Sequence, residues 1–98
     1  MSANDFRIVY PEWFDELAEF EHKGKGYLEG VIALFDGKEI PFTFYDITRF
    51  NQDFEYECAQ KGFAYFENLV VLPAITKANI NRAVNKIFNA ARIPNVNL

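Results

Sequence analysis

The residues best placed by type and spacing to do chemistry lie in Asp46-x-x-Arg49-x-x-x-Asp53-x-x-x-Glu57. At helical spacing these four share one flank, where two carboxylates beside an arginine could move protons or hold a cation. The same spacing also describes a helix N-cap at Asp46 and an i,i+4 ion pair between Arg49 and Asp53. Catalysis would want a histidine, a second acid pair or a glycine loop in support, and the sequence supplies none. The cap and the pair are the reading carried forward.

The other reactive side chains are isolated. His22 is the sole histidine; it stands beside Lys23-Gly24-Lys25-Gly26, has no evident orienting partner, and is expected in solvent. Cys58 falls on the apolar side of its predicted helix without an adjacent base, so it reads as a small buried hydrophobe. A single cysteine closes no internal disulfide and makes no zinc motif, and it fits a reducing compartment. Gly24-x-Gly26 and Gly30 form neither a GK[ST] nor a G-x-G-x-x-G loop. No enzyme activity, cofactor or metal is expected.

Charge is distributed more tellingly than its total of −4. Residues 1–22 carry six acids, Asp5, Glu12, Asp15, Glu16, Glu19 and Glu21, against Arg7 alone, a net −5. The remainder holds nine basic and eight acidic side chains, a net +1, and no acid follows Glu67. Lys77, Arg82, Lys86 and Arg92, interleaved with asparagines, could face phosphates or bases. The absence of aromatics on that face and the acidity of the whole chain favour a solvated helix face over nucleic-acid binding. Glu12, Asp15, Glu16 and Glu19 are the main candidates for contacting a protein partner. Arrayed on one helix side, they would mimic phosphates to a basic groove and speed encounter with it. An ordinary amphipathic helix with a wet side would look the same. Asp53, Glu55 and Glu57 would extend the patch if the two helices lie close together.

The elements that must position these residues follow from periodicity and punctuation. Phe6–Tyr10 is a short candidate strand ended by Pro11. From Pro11 a helix is expected, with Trp13, Phe14, Leu17, Ala18 and Phe20 on its apolar side. Lys23–Gly26 reads as a loop. Two strands, 27–35 and 39–45, meet at Asp36-Gly37, a favoured two-residue hairpin turn. In the first, Leu28, Ile32 and Leu34 share one face and Tyr27, Val31, Ala33 and Phe35 the other. That strand is either central and covered twice, or its second face is a docking surface. Pro41 suggests an edge position for the second strand. Asp46 opens a helix whose apolar stripe is Ile47, Phe50, Phe54 and Cys58 and which Gly62 stops. Leu69–Leu72 is a buried strand ended by Pro73. Thr76 caps a last helix with Ile80, Ala83, Val84, Ile87 and Ala91 inward, and Pro94 ends it.

The order is an α+β one, a three- or four-stranded, mainly antiparallel sheet packed with three helices. With the first strand formed, it matches the split β-α-β arrangement of ferredoxin-like folds plus a C-terminal helix. At 98 residues, half of them apolar and 17% aromatic, the chain is expected to be one domain, 1–98, with its own core. No secretory start is evident, and the apolar runs are too short to span a bilayer, so a cytoplasmic protein without membrane contact is expected.

Several stretches carry a resemblance. Gly26-Tyr27-Leu28-Glu29-Gly30, Asp36-Gly37-Lys38 and Phe44–Asp53 are of this kind, as are Asn68–Pro73 and Thr76-x-x-x-Ile80-x-x-Ala83-Val84. Together, over residues 26–88, they resemble small bacterial immunity proteins of contact-dependent growth inhibition and related polymorphic toxin systems. The resemblance implies a cytoplasmic, non-enzymatic antidote that blocks the active site of a cognate toxin domain, commonly a nuclease. Such families diverge at the contact surface, so it assigns no binding residue; Tyr45, Asp46, Arg49 and Asp53 read as fold-defining. The alternative is a structural or adaptor module that self-associates or binds another protein through a sheet face exposing Tyr27, Phe35 and Tyr45.

Overall fold

The computed structural model describes residues 6–91. Four strands and three helices alternate as β1 (Phe6–Val9), α1 (Glu16–Lys25), β2 (Tyr27–Phe35), β3 (Lys38–Asp46), α2 (Ile47–Lys61), β4 (Leu69–Leu72) and α3 (Lys77–Ala91). The strands lie in sequence order, β1-β2-β3-β4. The first two pairings are antiparallel and β3–β4 is parallel. The fold is α+β with a mixed sheet. The order departs from the split β-α-β arrangement, because β1 and β2, joined through α1, are direct antiparallel neighbours with no strand between them. The parallel β3–β4 pair cannot be closed by a tight turn, and α2 supplies its crossover.

Local signals place most boundaries. Asp36 and Gly37 both take positive φ, 54° and 74°, and Phe35 pairs with Lys38 across them, as a two-residue turn demands. Asp46 Oδ1 accepts from Arg49 N at 2.8 Å, and Gly62 closes α2 at φ 86°. Thr76 Oγ1 accepts from Asn79 N at 3.1 Å at the start of α3. Pro94 and Arg92, and the side chain of Ala91, lie outside the described residues.

The core lies between one face of the sheet and α1 and α3. Leu28, Val31 and Ala33 of β2 and Phe42 and Phe44 of β3 meet Phe14, Leu72, Ile75, Ile80, Val84 and Phe88 there. Leu28 therefore belongs with Val31, Ala33 and Phe35, not with Ile32 and Leu34. The reason is a bulge: Leu28 pairs with Phe44 but Val31 with Phe42, so β2 spends three residues where β3 spends two, and alternation slips. Gly30, at φ 90°, supplies the backbone shape this requires. Phe35 accordingly turns inward and stacks on Phe88 at 4.6 Å. Phe88 is buried and Ile87 is exposed, so the inward stripe of α3 runs Ile80, Val84, Phe88.

The opposite face carries α2, and carries it loosely. Phe50 packs against Tyr45 and Phe66, at 6.4 and 6.0 Å between ring centroids, while Ile47 and Phe54 are exposed. No residue of α2 is fully buried, and Cys58 is half-buried. Pro41 does not mark an edge strand, since β3 lies between β2 and β4. β4, however, pairs only with Thr43–Asp46, so the stretch holding Pro41 has no neighbour on its outer side and its missing N–H costs no ladder bond.

Candidate functional site

The first helix starts later than its periodicity suggests, and it is rotated about its axis. Phe14 N donates to Pro11 O at 2.9 Å, a turn rather than a helix start, and Phe14 enters the core. Asp15 is the N-cap, with Oδ1 accepting from Ala18 N at 2.9 Å. Glu12 and Asp15 thus precede the helix, where acids favour the exposed N–H groups and the dipole. At the other end, Lys23–Lys25 remain helical, and Gly26 caps the helix at φ 75°. The expected loop is a last helical turn plus its stop.

On a helix beginning at Glu16, Ala18 packs on the core and His22 is half-buried four residues later. Leu17 and Phe20 lie on the far side and are 65% and 74% exposed; Trp13 before them is 54% exposed. Of the five apolar residues expected to face the core, Phe14 and Ala18 do so, while Trp13, Leu17 and Phe20 face solvent. Glu12, Glu16 and Glu21 are exposed around it. Gly24 adds no side chain one turn after Phe20, and the two, with Glu21 and Lys23, line a shallow open depression. The signal for this was present inside the expected stripe: Phe14 and Ala18 continue to His22 with i,i+4 spacing, along an edge narrow enough to sit against a sheet.

His22 is not a free surface histidine. Its Nδ1–H donates to Tyr27 O at 2.8 Å, and its ring lies 5.3 Å from Trp13 and 5.9 Å from Phe14. It ties the end of α1 to the start of β2. Glu19 is also committed, because its Oε2 accepts from Lys77 N at 2.7 Å and so caps α3 from another element. Lys77 Nζ in turn lies 5.1 Å from the Tyr10 ring centroid. Burial, and then the charge of Glu19, push the Tyr10 hydroxyl up to about 12.

The acids of α2 do not join those of α1, since the two helices attach to opposite faces of the sheet. Asp53 pairs with Arg49 Nε at 3.1 Å and Glu57 with Lys61 at 2.7 Å, both within the helix; Glu55 is exposed. Arg49 also lies 5.1 Å from the Tyr27 ring centroid and donates to Lys25 O at 3.3 Å. Asp46, Arg49 and Asp53 thus lock α2 onto the end of α1. Among the described residues no group of three His, Cys, Asp or Glu side chains could hold a metal ion. On α3, Asn79 donates to Ala74 O and accepts from Arg82, and Asn81 accepts from Tyr10; these asparagines hold structure together.

The chain matches no family model, no curated protein and no solved structure. No helix among the described residues is long and apolar enough to cross a membrane.

The Tyr27–Tyr45 pair, 5.3 Å apart at the ring centroids, gives the lock a pH signature. Burial, with Glu29 as hydrogen-bond partner next, raises Tyr27 to about 12. Burial and a hydrogen bond to Asp53 raise Tyr45 further. The folded state thus holds these protons after the unfolded chain begins releasing its own near pH 10. Stability is fully present below that point and falls as pH climbs through it toward about 12. Alkaline titration followed by tyrosinate absorbance and circular dichroism should show ionisation of these hydroxyls coinciding with unfolding. Tyr45→Phe should make the loss of stability with pH less steep; an unchanged alkaline profile would contradict the assignment.

Proposed function

We propose that this chain is a non-enzymatic, cytoplasmic immunity-type protein that blocks a cognate toxin domain, a nuclease with a basic substrate groove, through α1 and the turn before it. The observation carrying this reading is the exposed apolar patch on α1 and the turn before it, with Trp13, Leu17 and Phe20 outward and Glu12, Glu16 and Glu21 exposed beside them. Large side chains at the centre of an interface supply most of the affinity, and charges at its rim steer encounter. Asp15 and Glu19 add to the negative field although their carboxylates cap helices. The likeness of residues 26–88 to immunity proteins supports the same conclusion. Asp53, Glu55 and Glu57 lie on the other layer and are assigned no part in the contact.

The test begins with the neighbouring open reading frame: a large secreted protein is expected to be encoded directly upstream, and its C-terminal domain is then produced with and without this chain. Wild-type chain should bind it and relieve its toxicity. Phe20→Ala and Leu17→Ala should each weaken binding about tenfold, mainly by faster dissociation. Glu12→Lys with Glu16→Lys should slow association, the more so at low salt. Affinity unchanged by all four substitutions would remove α1 from the interface. Turnover of a small substrate by the purified chain, lost when one carboxylate is neutralised, would end the inhibitor reading.

A further inference from the structure

Among the described residues, the sheet face away from α1 and α3 is only partly covered. α2 packs over β3 and β4, chiefly at the Tyr45 end, where Phe50 and Phe66 meet that ring. Over β1, β2 and the first half of β3 the outward residues are Arg7, Val9, Ile32, Leu34, Glu39 and Pro41. Their neighbours Phe6, Ile8, Phe35 and Ile40 turn the other way, onto the core. Val9 and Pro41 are exposed, and Ile32 and Leu34 only half-buried.

Register arranges these six residues in two rows. Val9 stands beside Ile32 and Ile32 beside Pro41; Arg7 stands beside Leu34 and Leu34 beside Glu39. A two-fold axis running along β2, in the plane above this face, exchanges the β1 side with the β3 side. It sets Leu34 against Leu34 and Ile32 against Ile32 of a second copy, Val9 against Pro41, and Arg7 against Glu39 twice. The pattern is its own complement in both polarity and charge, which is what an isologous contact requires.

The relief fits the same operation. β1 pairs only with Ile32–Phe35, so among the described residues the Tyr27–Val31 end of β2 has no strand on that side. The ridge formed by α2 rises at that same end on the opposite side, because Tyr27 pairs with Tyr45. The two-fold brings the ridge of each copy over the gap of the other.

We propose that this face binds a second copy of the chain, forming a two-fold sheet-on-sheet dimer centred on Ile32 and Leu34. The sheets would stack about 10 Å apart with mean strand directions within about 30° of each other, as aligned sheets do. Three strands over about five residues make a patch of some 15 by 17 Å. That is below the roughly 800 Å² per partner of a standard interface. The association is therefore weak and concentration-dependent. It leaves α1 free on the other side, so it goes beyond the proposed toxin contact and does not compete with it.

Sedimentation equilibrium from micromolar to about millimolar chain tests this. Wild type should dimerise reversibly, and Leu34→Lys should be monomeric throughout with unchanged circular dichroism. Arg7→Glu and Glu39→Arg should each weaken association about tenfold, since each replaces two attractions by two repulsions. The two together should restore it. Because Arg7 and Glu39 are exposed, the pair keeps the test valid should Leu34→Lys disturb folding. A wild-type monomer at all concentrations, or a dimer indifferent to these charges, overturns the proposal. Leu17→Ala and Phe20→Ala, which test the toxin contact, should leave the dimer unchanged.

Discussion

Gly26→Ala is expected to lower the stability of the fold by roughly 2–4 kcal/mol. Gly26 adopts φ 75°, the left-handed region, which costs a side-chain-bearing residue about 1–2 kcal/mol. A Cβ there would also lie 2.5 Å from Asp46 Oδ2, a distance no real contact tolerates. The Asp46 carboxylate would have to leave, and with it the cap it provides to Arg49 N, worth about 0.5–2 kcal/mol. Asp46 N, which donates to Gly26 O at 2.9 Å, would be strained in turn. Gly62→Ala isolates the first of these costs, because Gly62 has φ 86° and nothing near its absent Cβ. Urea midpoints should therefore fall clearly further for Gly26→Ala than for Gly62→Ala. Equal shifts would show that Asp46 yields freely and that the junction is soft.

A pair of phenylalanines should give the widest contrast in the molecule. Phe44 is fully buried on the central face of β3, with Phe42 at 5.9 Å. Its replacement by alanine leaves a cavity and should cost about 3–5 kcal/mol, a third or more of the total for many domains of this size. Phe20 is largely solvent-exposed, and Phe20→Ala should change stability by no more than about 0.5 kcal/mol. Thermal or chemical unfolding of the two variants side by side checks the orientation of α1 without any partner. A substantial loss from Phe20→Ala would mean that the helix turns its larger stripe inward after all.

What the sequence made legible was what is decided within a few residues. Asp36-Gly37 forms its turn, Asp46 and Thr76 cap their helices, Gly62 ends one, and Leu69–Leu72 is a strand, because each depends on a local backbone preference or a side chain reaching three residues ahead. What was not legible depends on the rest of the molecule. Pro11 and Asp15 both suit a helix start, and the descent of Phe14 into the core decides for Asp15. Periodicity identifies one broad apolar side on the first helix but not which edge of it the sheet accepts. The narrow Ala18–His22 side fits against β2 and the larger Leu17–Phe20 side does not. The same limit applies at the end of α3, where Ile87 and Phe88 compete for one inward position and the Phe88 ring stacks on Phe35 and lies tilted against Phe6.

The candidate surface was half legible for the same reason. Glu16 is exposed on the first turn of α1, as charge patterning put it, while Glu12, expected on the same helix, is exposed in the turn before it. Glu19 was drawn into capping α3 by a contact 58 residues away in sequence, which no local pattern encodes. Asp53 and Glu57 stay on their own helix because the β3-α2-β4 crossover carries α2 to the far layer. Tyr27, Phe35 and Tyr45, the aromatics expected on an open sheet face, are instead occupied by Arg49, Phe88 and Phe66 respectively. The open part of that face is aliphatic.

The irregularity at Gly30 also bears on how this sequence can drift in length. Losing one residue from a strand ordinarily turns every side chain beyond it to the wrong side. Between Leu28 and Val31 the opposite holds: removing either Glu29 or Gly30 would restore a spacing of two and leave inner and outer side chains where they are. The segment is thus a tolerated deletion site inside a sheet, where loops are usually the only ones.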